Sequence, residues 1–198
     1  MRESNHPLRR VCVYCGSSSG LLPEYTDAAR ALGTLLASRD IELVYGGGSI
    51  GLMGEIASAT LEAGGRVIGV IPEKLQALEL GKADLTELHV VPDMHTRKRT
   101  MADLSDAFIA MPGGYGTMEE LFEAVTWTQL GYHHKPVGLL NVEGYFQPLL
   151  AFVQQMIDQG FVRPLHAPLI QFDHRPEVLL DRLEHVELPS LATWIDDV

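Results

Sequence analysis

Two stretches of this chain carry side chains that could do chemistry. The first is residues 111–120, MPGGYGTMEE, in which Gly113, Gly114 and Gly116 precede Thr117 and a pair of acids. It follows an apolar run (107–111) that reads as a buried strand, and it opens a segment with helical spacing. A strand–loop–helix corner of bare amides is where phosphate binds in α/β proteins, because unpaired N–H groups and the helix dipole both favour an anion. A plain phosphate clamp has no use for the carboxylates of Glu119 and Glu120. The second stretch is residues 92–99, PDMHTRKR, with three consecutive cations in an acidic protein.

At 100° per residue, Met118, Leu121, Phe122 and Val125 form one apolar stripe, and Glu120 falls on the opposite side. It stands three residues after Thr117 and four after Gly116. Helical side chains lean toward the N-terminus, so Glu120 should reach back over the loop, whereas Glu119 points sideways. Glu120 is the candidate acid. Thr117-x-x-Glu120 equally fits a capping box, in which the acid closes the helix start, and the two roles can coexist. In the second stretch Arg97 shares a face with Met94, Met101 and Leu104. An inward arginine must find an anion, since a buried unpaired charge is costly. Glu120 and a bound phosphate are both candidates, and a purely structural Arg–carboxylate bridge is the alternative. Lys98 lies nearer the rim and Arg99 reads as a solvated charge.

These residues need elements to hold them. Short apolar runs at 11–15, 41–45, 66–71, 88–91, 107–111, 136–140 and 169–172 read as strands. Helical segments fall at about 23–39, from 46–54 to 63, 94–105, 117–130, 145–159 and 176–184. Pro72 stops the third strand, and 73–86 is a loop with at most one helical turn. Alternating strands and helices with continuous apolar strands call for a parallel sheet covered on both faces, a Rossmann-like doubly wound α/β fold. The expectation is a single nucleotide-binding domain over 1–198, with residues 1–9 and 188–198 as flexible tails. The helix at 145–159 is apolar over more than half its circumference, which suits either a dimer contact or deep core.

In such a sheet, ligands sit beyond the carboxyl ends of the strands. Three corners there are rich in Gly or Ser, at 16–20, 46–51 and 113–117, and together they suit a nucleotide-sized anion. Gly46-x-Gly48-x-x-Gly51 fits the dinucleotide fingerprint on paper but follows the second strand and lacks a convincing acid about 20 residues on. An NAD-dependent oxidoreductase is therefore disfavoured.

The 198 residues carry a formal charge of −11, with no basic block to offset it. That opposes nucleic acid, single-stranded DNA included, or an anionic membrane as partner. No apolar run approaches the ~20 residues of a membrane span, and the polar start MRESNHPLRR is no signal peptide. Cys12 and Cys15 match C-x-x-C but lie within a strand, where they read as buried thiols, so the expected compartment is the cytoplasm. The histidines show no zinc spacing, and Ser17–Ser19 lack a G-x-S-x-G elbow.

At these residues the sequence resembles the Lonely Guy (LOG) family, the cytokinin riboside 5′-monophosphate phosphoribohydrolases, part of which was long labelled "possible lysine decarboxylase". The pattern P-G-G-x-G-T-x-x-E is met by Pro112, Gly113, Gly114, Gly116, Thr117 and Glu120. The companion M-H-x-R-K is met by Met94, His95, Arg97 and Lys98, and the loops YCGSSSG and YGGGSIGLMG are similar to the family's. The likeness runs from about residue 11 to 159. It implies a homodimer that hydrolyses the N-glycosidic bond of an N6-modified or plain AMP to free base and ribose 5-phosphate. Catalytic roles would fall on Arg97 and Glu120. Substrate contacts would fall on Gly16, Ser17, Gly47, Gly48, Met94, Lys98, Gly113, Gly114, Gly116 and Thr117, with no cofactor and no metal. Molybdenum-cofactor carriers resemble the family in fold and glycine loops, so a non-catalytic nucleotide or cofactor carrier is the alternative. The acid favours the enzyme. None of the four lysines, Lys74, Lys82, Lys98 and Lys135, sits in an evident pyridoxal-phosphate context.

Overall fold

The computed structural model describes residues 7–78 and 81–189. Seven strands, β1 (Arg10–Tyr14), β2 (Glu42–Tyr45), β3 (Val67–Pro72), β4 (Glu87–Val91), β5 (Ala107–Ala110), β6 (Val137–Leu140) and β7 (Ile170–Asp173), form one sheet in the order β4-β3-β2-β1-β5-β6-β7. Every pairing is parallel. The chain winds outward from β1 to the edge at β4, then returns to place β5 on the other side of β1. Val13 is thereby in register with Tyr45 on one side and Ile109 on the other. The direction of winding reverses between β1 and β5, and that gap opens a crevice at the carboxyl ends of the strands.

The helices are α1 (Pro23–Ser38), α2 (Gly51–Glu62), the single turn α3 (Glu73–Gln76), α4 (Met94–Leu104), α5 (Tyr115–Gln129), α6 (Gln147–Asp158) and α7 (Pro176–His185). Strand side chains alternate between two cores. Val11, Val13, Leu43, Tyr45 and Ile109 meet α1, α2 and α7, while Cys12, Tyr14, Val44, Phe108 and Ala110 meet α4 and α5. Cys12 and Cys15 therefore face opposite sides of the sheet as free, buried thiols. Burial pushes both thiols far up, the opposite of what a reactive cysteine needs. Among the described residues no helix is long and apolar enough to cross a membrane.

The strands lie within a residue of their expected places. Pro72 belongs to β3, where it pairs with Val91 as the last residue and so costs the ladder little. The loop 73–86 carries the one turn α3 and an antiparallel bridge from Gly81 to Gly48 that folds it back over the end of β2. Of the expected tails, residues 1–6 and 190–198 lie outside the described residues. Residues 7–9 are anchored instead: Leu8 is buried and Arg9 donates its N–H to Asp106 Oδ2 at 2.9 Å.

The expected helix at 145–159 differs more. A 3-10 turn, Val142–Gly144, comes first, with Glu143 and Gly144 at φ 49° and 71°. Asn141 Oδ1 accepts the Phe146 N–H at 2.7 Å, and α6 begins at Gln147. Phe146 is buried but no residue of α6 itself is, which removes the deep-core reading.

The tightest helix contact is α1 on α2. A Cβ at Gly33 would sit 2.6 Å from the Ile56 carbonyl oxygen and 2.9 Å from Thr60 Oγ1. Gly33→Val should force the pair apart, costing about 2 kcal/mol and roughly 4–8 °C in Tm by calorimetry, while leaving the distant cleft intact.

Candidate active site

The crevice between β1 and β5 is lined by the three glycine corners. The loops are laced together: Gly16 donates its N–H to Pro112 O at 3.0 Å and Met111 donates to Tyr14 O at 2.8 Å. A cleft of about 340 Å³ opens above them, a size suited to one small ligand. Gly16, Ser17, Gly48, Gly114, Gly116 and Thr117 line it together with Arg97 and Glu120. The N-terminal turn of α5 points in, and its first amides have no partner within the helix.

Helix α5 starts earlier than its spacing suggests. Gly114 is the N-cap, extended and without a side-chain cap, so Thr117 is the third helical residue and Glu120 the sixth. The Thr117–Glu120 capping box does not exist. The buried face also differs from the expected stripe. It comprises Thr117, Glu120, Leu121, Ala124 and Thr128, whereas Phe122 is exposed. Of the expected stripe, Leu121 is buried and Met118 and Val125 pack partly buried against the core, so Phe122 alone is turned outward. Glu120 thus lies on the inner face beside Leu121, not opposite it.

Arg97 comes from α4, the helix that returns from the sheet edge. Asp93 caps that helix by accepting the Thr96 N–H at 2.7 Å, a signal present in the sequence as Pro-Asp-Met but passed over. The guanidinium donates Nε to Val70 O at 3.2 Å and Nη2 to Gly46 O at 3.3 Å. Its Nη1 faces Glu120 Oε1 at 3.5 Å, and both side chains are about nine-tenths buried. Gly46 has no side chain for a plain reason: a Cβ there would overlap Arg97 Nη2. Burial raises the Glu120 pKa, Arg97 opposes the rise, and Glu119 adds to it, leaving the group pushed up to about 7.

Four expected substrate contacts fall elsewhere. Lys98 is buried rather than at the rim and bonds to Glu119 and, at 2.8 Å, to Glu123, so it bolts α4 to α5 outside the cleft. Met94 is exposed and only its sulfur approaches Arg97 Nη1, at 3.8 Å. Gly47 has φ +74° and passes against Ile71, serving the turn. Gly113 lines a smaller adjoining hollow and packs on Thr117 and Gly16. The cleft gains apolar walls from Ile50 and Met53 of the YGGGSIGLMG loop and from Ile71, Leu75 and Met101, which no motif marked. Among the described residues no three His, Cys, Asp or Glu side chains gather as a metal ion would require.

Fold and cleft together define a doubly wound α/β protein with an anion-ready switch point and a buried Arg–Glu pair at its wall. Residues 53–183 match the model of a family described as "Possible lysine decarboxylase". The chain is 50% identical over 197 residues to cytokinin riboside 5'-monophosphate phosphoribohydrolase LOG1 of Arabidopsis thaliana, covering 97% of this chain and 92% of that one. It is 52% identical to LOG3 of the same plant, covering 94% and 89%. Among solved structures, the molybdenum cofactor carrier protein of Chlamydomonas reinhardtii shares the fold, with a TM-score of 0.65, 23% identity and coverage of 88% and 96%. The chain belongs to the LOG family.

The site electrostatics can be measured directly. A carbon-13 NMR titration of the Glu120 carboxyl should show a midpoint near pH 7, rising further in Arg97→Ala because the favourable charge is gone. The folded protein holds this proton more tightly than the unfolded chain does. The group's stabilising contribution is therefore full below its ordinary pKa of 4.5 and lost as pH rises through about 7. Glu120→Gln should flatten that part of the stability curve in pH-dependent denaturation.

Proposed function

We propose that this protein hydrolyses the N-glycosidic bond of cytokinin riboside 5′-monophosphate, AMP or both, releasing free base and ribose 5-phosphate. The observation that carries this reading is the buried Arg97–Glu120 pair at 3.5 Å on the wall of an anion-ready cleft. The names of the LOG relatives at 50 and 52% identity support it.

The residues suit the chemistry. Cleavage passes through a sugar with oxocarbenium character, positively charged near C1′, which a nearby carboxylate stabilises. The substrate phosphate lies at the N-terminus of α5 and the loop from Gly16 to Ser17, where free amides and Thr117 receive it. Glu120 then faces the C1′ end. It takes a proton from the attacking water as the water oxygen bonds to C1′, and the base leaves with the electrons of the broken C–N bond. Arg97, fixed by two carbonyl bonds, holds Glu120 in place and favours its ionised form against the pull of burial. The apolar residues Ile50, Met53, Ile71 and Leu75 offer a wall for the base. Carriage of a nucleotide or cofactor without cleavage leaves a buried carboxylate in an anion site unaccounted for. Among the described residues no lysine lines the cleft, so the decarboxylase description has no Schiff-base candidate among them.

Two copies of the chain pair in this proposal through the α5–α6 side, where Phe122, Leu130, Phe152 and Phe161 are exposed. Two free, buried cysteines suit a reducing compartment, here the cytoplasm.

Incubation with AMP and with isopentenyl-AMP, followed by chromatography, should release base and ribose 5-phosphate from at least one. Binding without release would leave carriage in its place. Glu120→Gln and Arg97→Ala should each lower kcat by about 10²–10⁴ with circular dichroism unchanged. Because the ionised carboxylate is the working form, kcat/KM should rise with pH and level off above about 7, and this acid limb should vanish in Glu120→Gln. An activity that instead falls as pH passes 7 would make Glu120 a proton donor.

A further inference from the structure

Tyr145 lies outside every motif, in the short connection between β6 and α6. Its hydroxyl donates to Gly113 O at 2.5 Å. Gly113 immediately precedes the N-cap of α5, and its peptide bond to Gly114 is planar and trans, so the Gly113 carbonyl and the Gly114 N–H point in opposite directions. Gly114 lines the cleft. We infer that Tyr145 is a positioning residue of the anion site: by holding the Gly113 carbonyl away from the cleft, it turns the Gly114 N–H toward the substrate phosphate. The inference rests on the function proposed above.

The tyrosine is itself well fixed. Its ring meets Tyr25 of α1 edge-on with centroids 5.9 Å apart, and Phe146 edge-on at 5.1 Å. Tyr25 in turn packs under Gly20, where a Cβ would come within 2.7 Å of the ring. The serine-glycine loop after β1 and the glycine loop after β5 are thus braced against each other through two tyrosines. Both loops form the smaller hollow beside the cleft, which shares Gly16, Ser17 and Gly114 with it. Without the hydroxyl bond, a glycine peptide has no side chain to resist rotation, and the amide can turn away from the anion. This sets the phosphate site apart from the Arg97–Glu120 pair, which Tyr145 does not touch.

Tyr145→Phe keeps the ring contacts and removes only the bond. With the nucleotide that the wild type cleaves, KM should rise about five- to ten-fold while kcat stays within about two-fold, the pattern of lost uniform binding. Inhibition by ribose 5-phosphate should weaken by the same factor, and inhibition by free adenine, which has no phosphate, should not change. An unchanged KM and unchanged ribose 5-phosphate inhibition would overturn the inference, as would equal weakening of adenine, which would indicate general disorder of the cleft. A wild type that neither binds nor cleaves AMP or isopentenyl-AMP would overturn the proposed function, and this inference with it. An active wild type beside an unaffected Tyr145→Phe would overturn this inference alone.

Discussion

Water stabilises a carboxylate so strongly that removing it has to be compensated on the spot, and in this molecule the compensation is one guanidinium. Glu120 and Arg97 face each other across 3.5 Å with little solvent on either. Arg97 cannot do this as a free side chain, so two of its donors are tied to backbone carbonyls, one just past β2 and one within β3. Much of the surrounding structure follows. The helix α4 has to pack on the face of the sheet beside β3 to bring Arg97 there, position 46 has to be glycine to admit it, and the neighbouring Glu119 has to be drawn off by Lys98. The balance is deliberately incomplete. Burial still outweighs the arginine, which leaves the acid titrating near neutrality instead of locked in one form.

The proposed phosphate site is built differently, from backbone amides with Thr117 beside them. Helix amides and glycine loops supply local positive potential, which is how a chain with a net charge of −11 would accept a phosphate. In the proposed reading, backbone and side chain divide the ligand between them: amides at one end, a carboxylate at the other. The fold shared with the carrier, at 23% identity, says nothing of what the crevice does.

Much of this was legible before any coordinates. Strands buried on both faces have to be continuous apolar runs, and glycine corners have to follow them, so the doubly wound sheet and its crevice could be read directly. Arg97 could be found because a cation on an apolar face demands a partner. The face of α5 was legible only in part: Met118, Leu121 and Val125 meet the core, but hydrophobic size misleads where a helix lies close to a sheet, so Thr117, Glu120 and Ala124 also go in and Phe122 goes out. The capping box failed because the glycines let the helix begin two residues early. Lys98 was misplaced because Glu119 and Glu123, four residues apart, form its socket only once two helices are packed. Tyr145 gave no signal at all. The hydrogen bond of its hydroxyl spans 32 residues of sequence and ends on a carbonyl, which every residue possesses.

The missing side chain at position 46 has a consequence for descent. Its space is filled by a residue 51 positions away, so the two sites cannot change independently. A side chain at 46 is tolerated only after Arg97 has gone, and once it has grown in, the arginine has nowhere to return to. Loss of the guanidinium is thus easily made permanent by a second, individually harmless substitution. The glycine works as a ratchet: lineages that discard the Arg97–Glu120 pair can keep the fold, yet they cannot step back by reversing the first change alone.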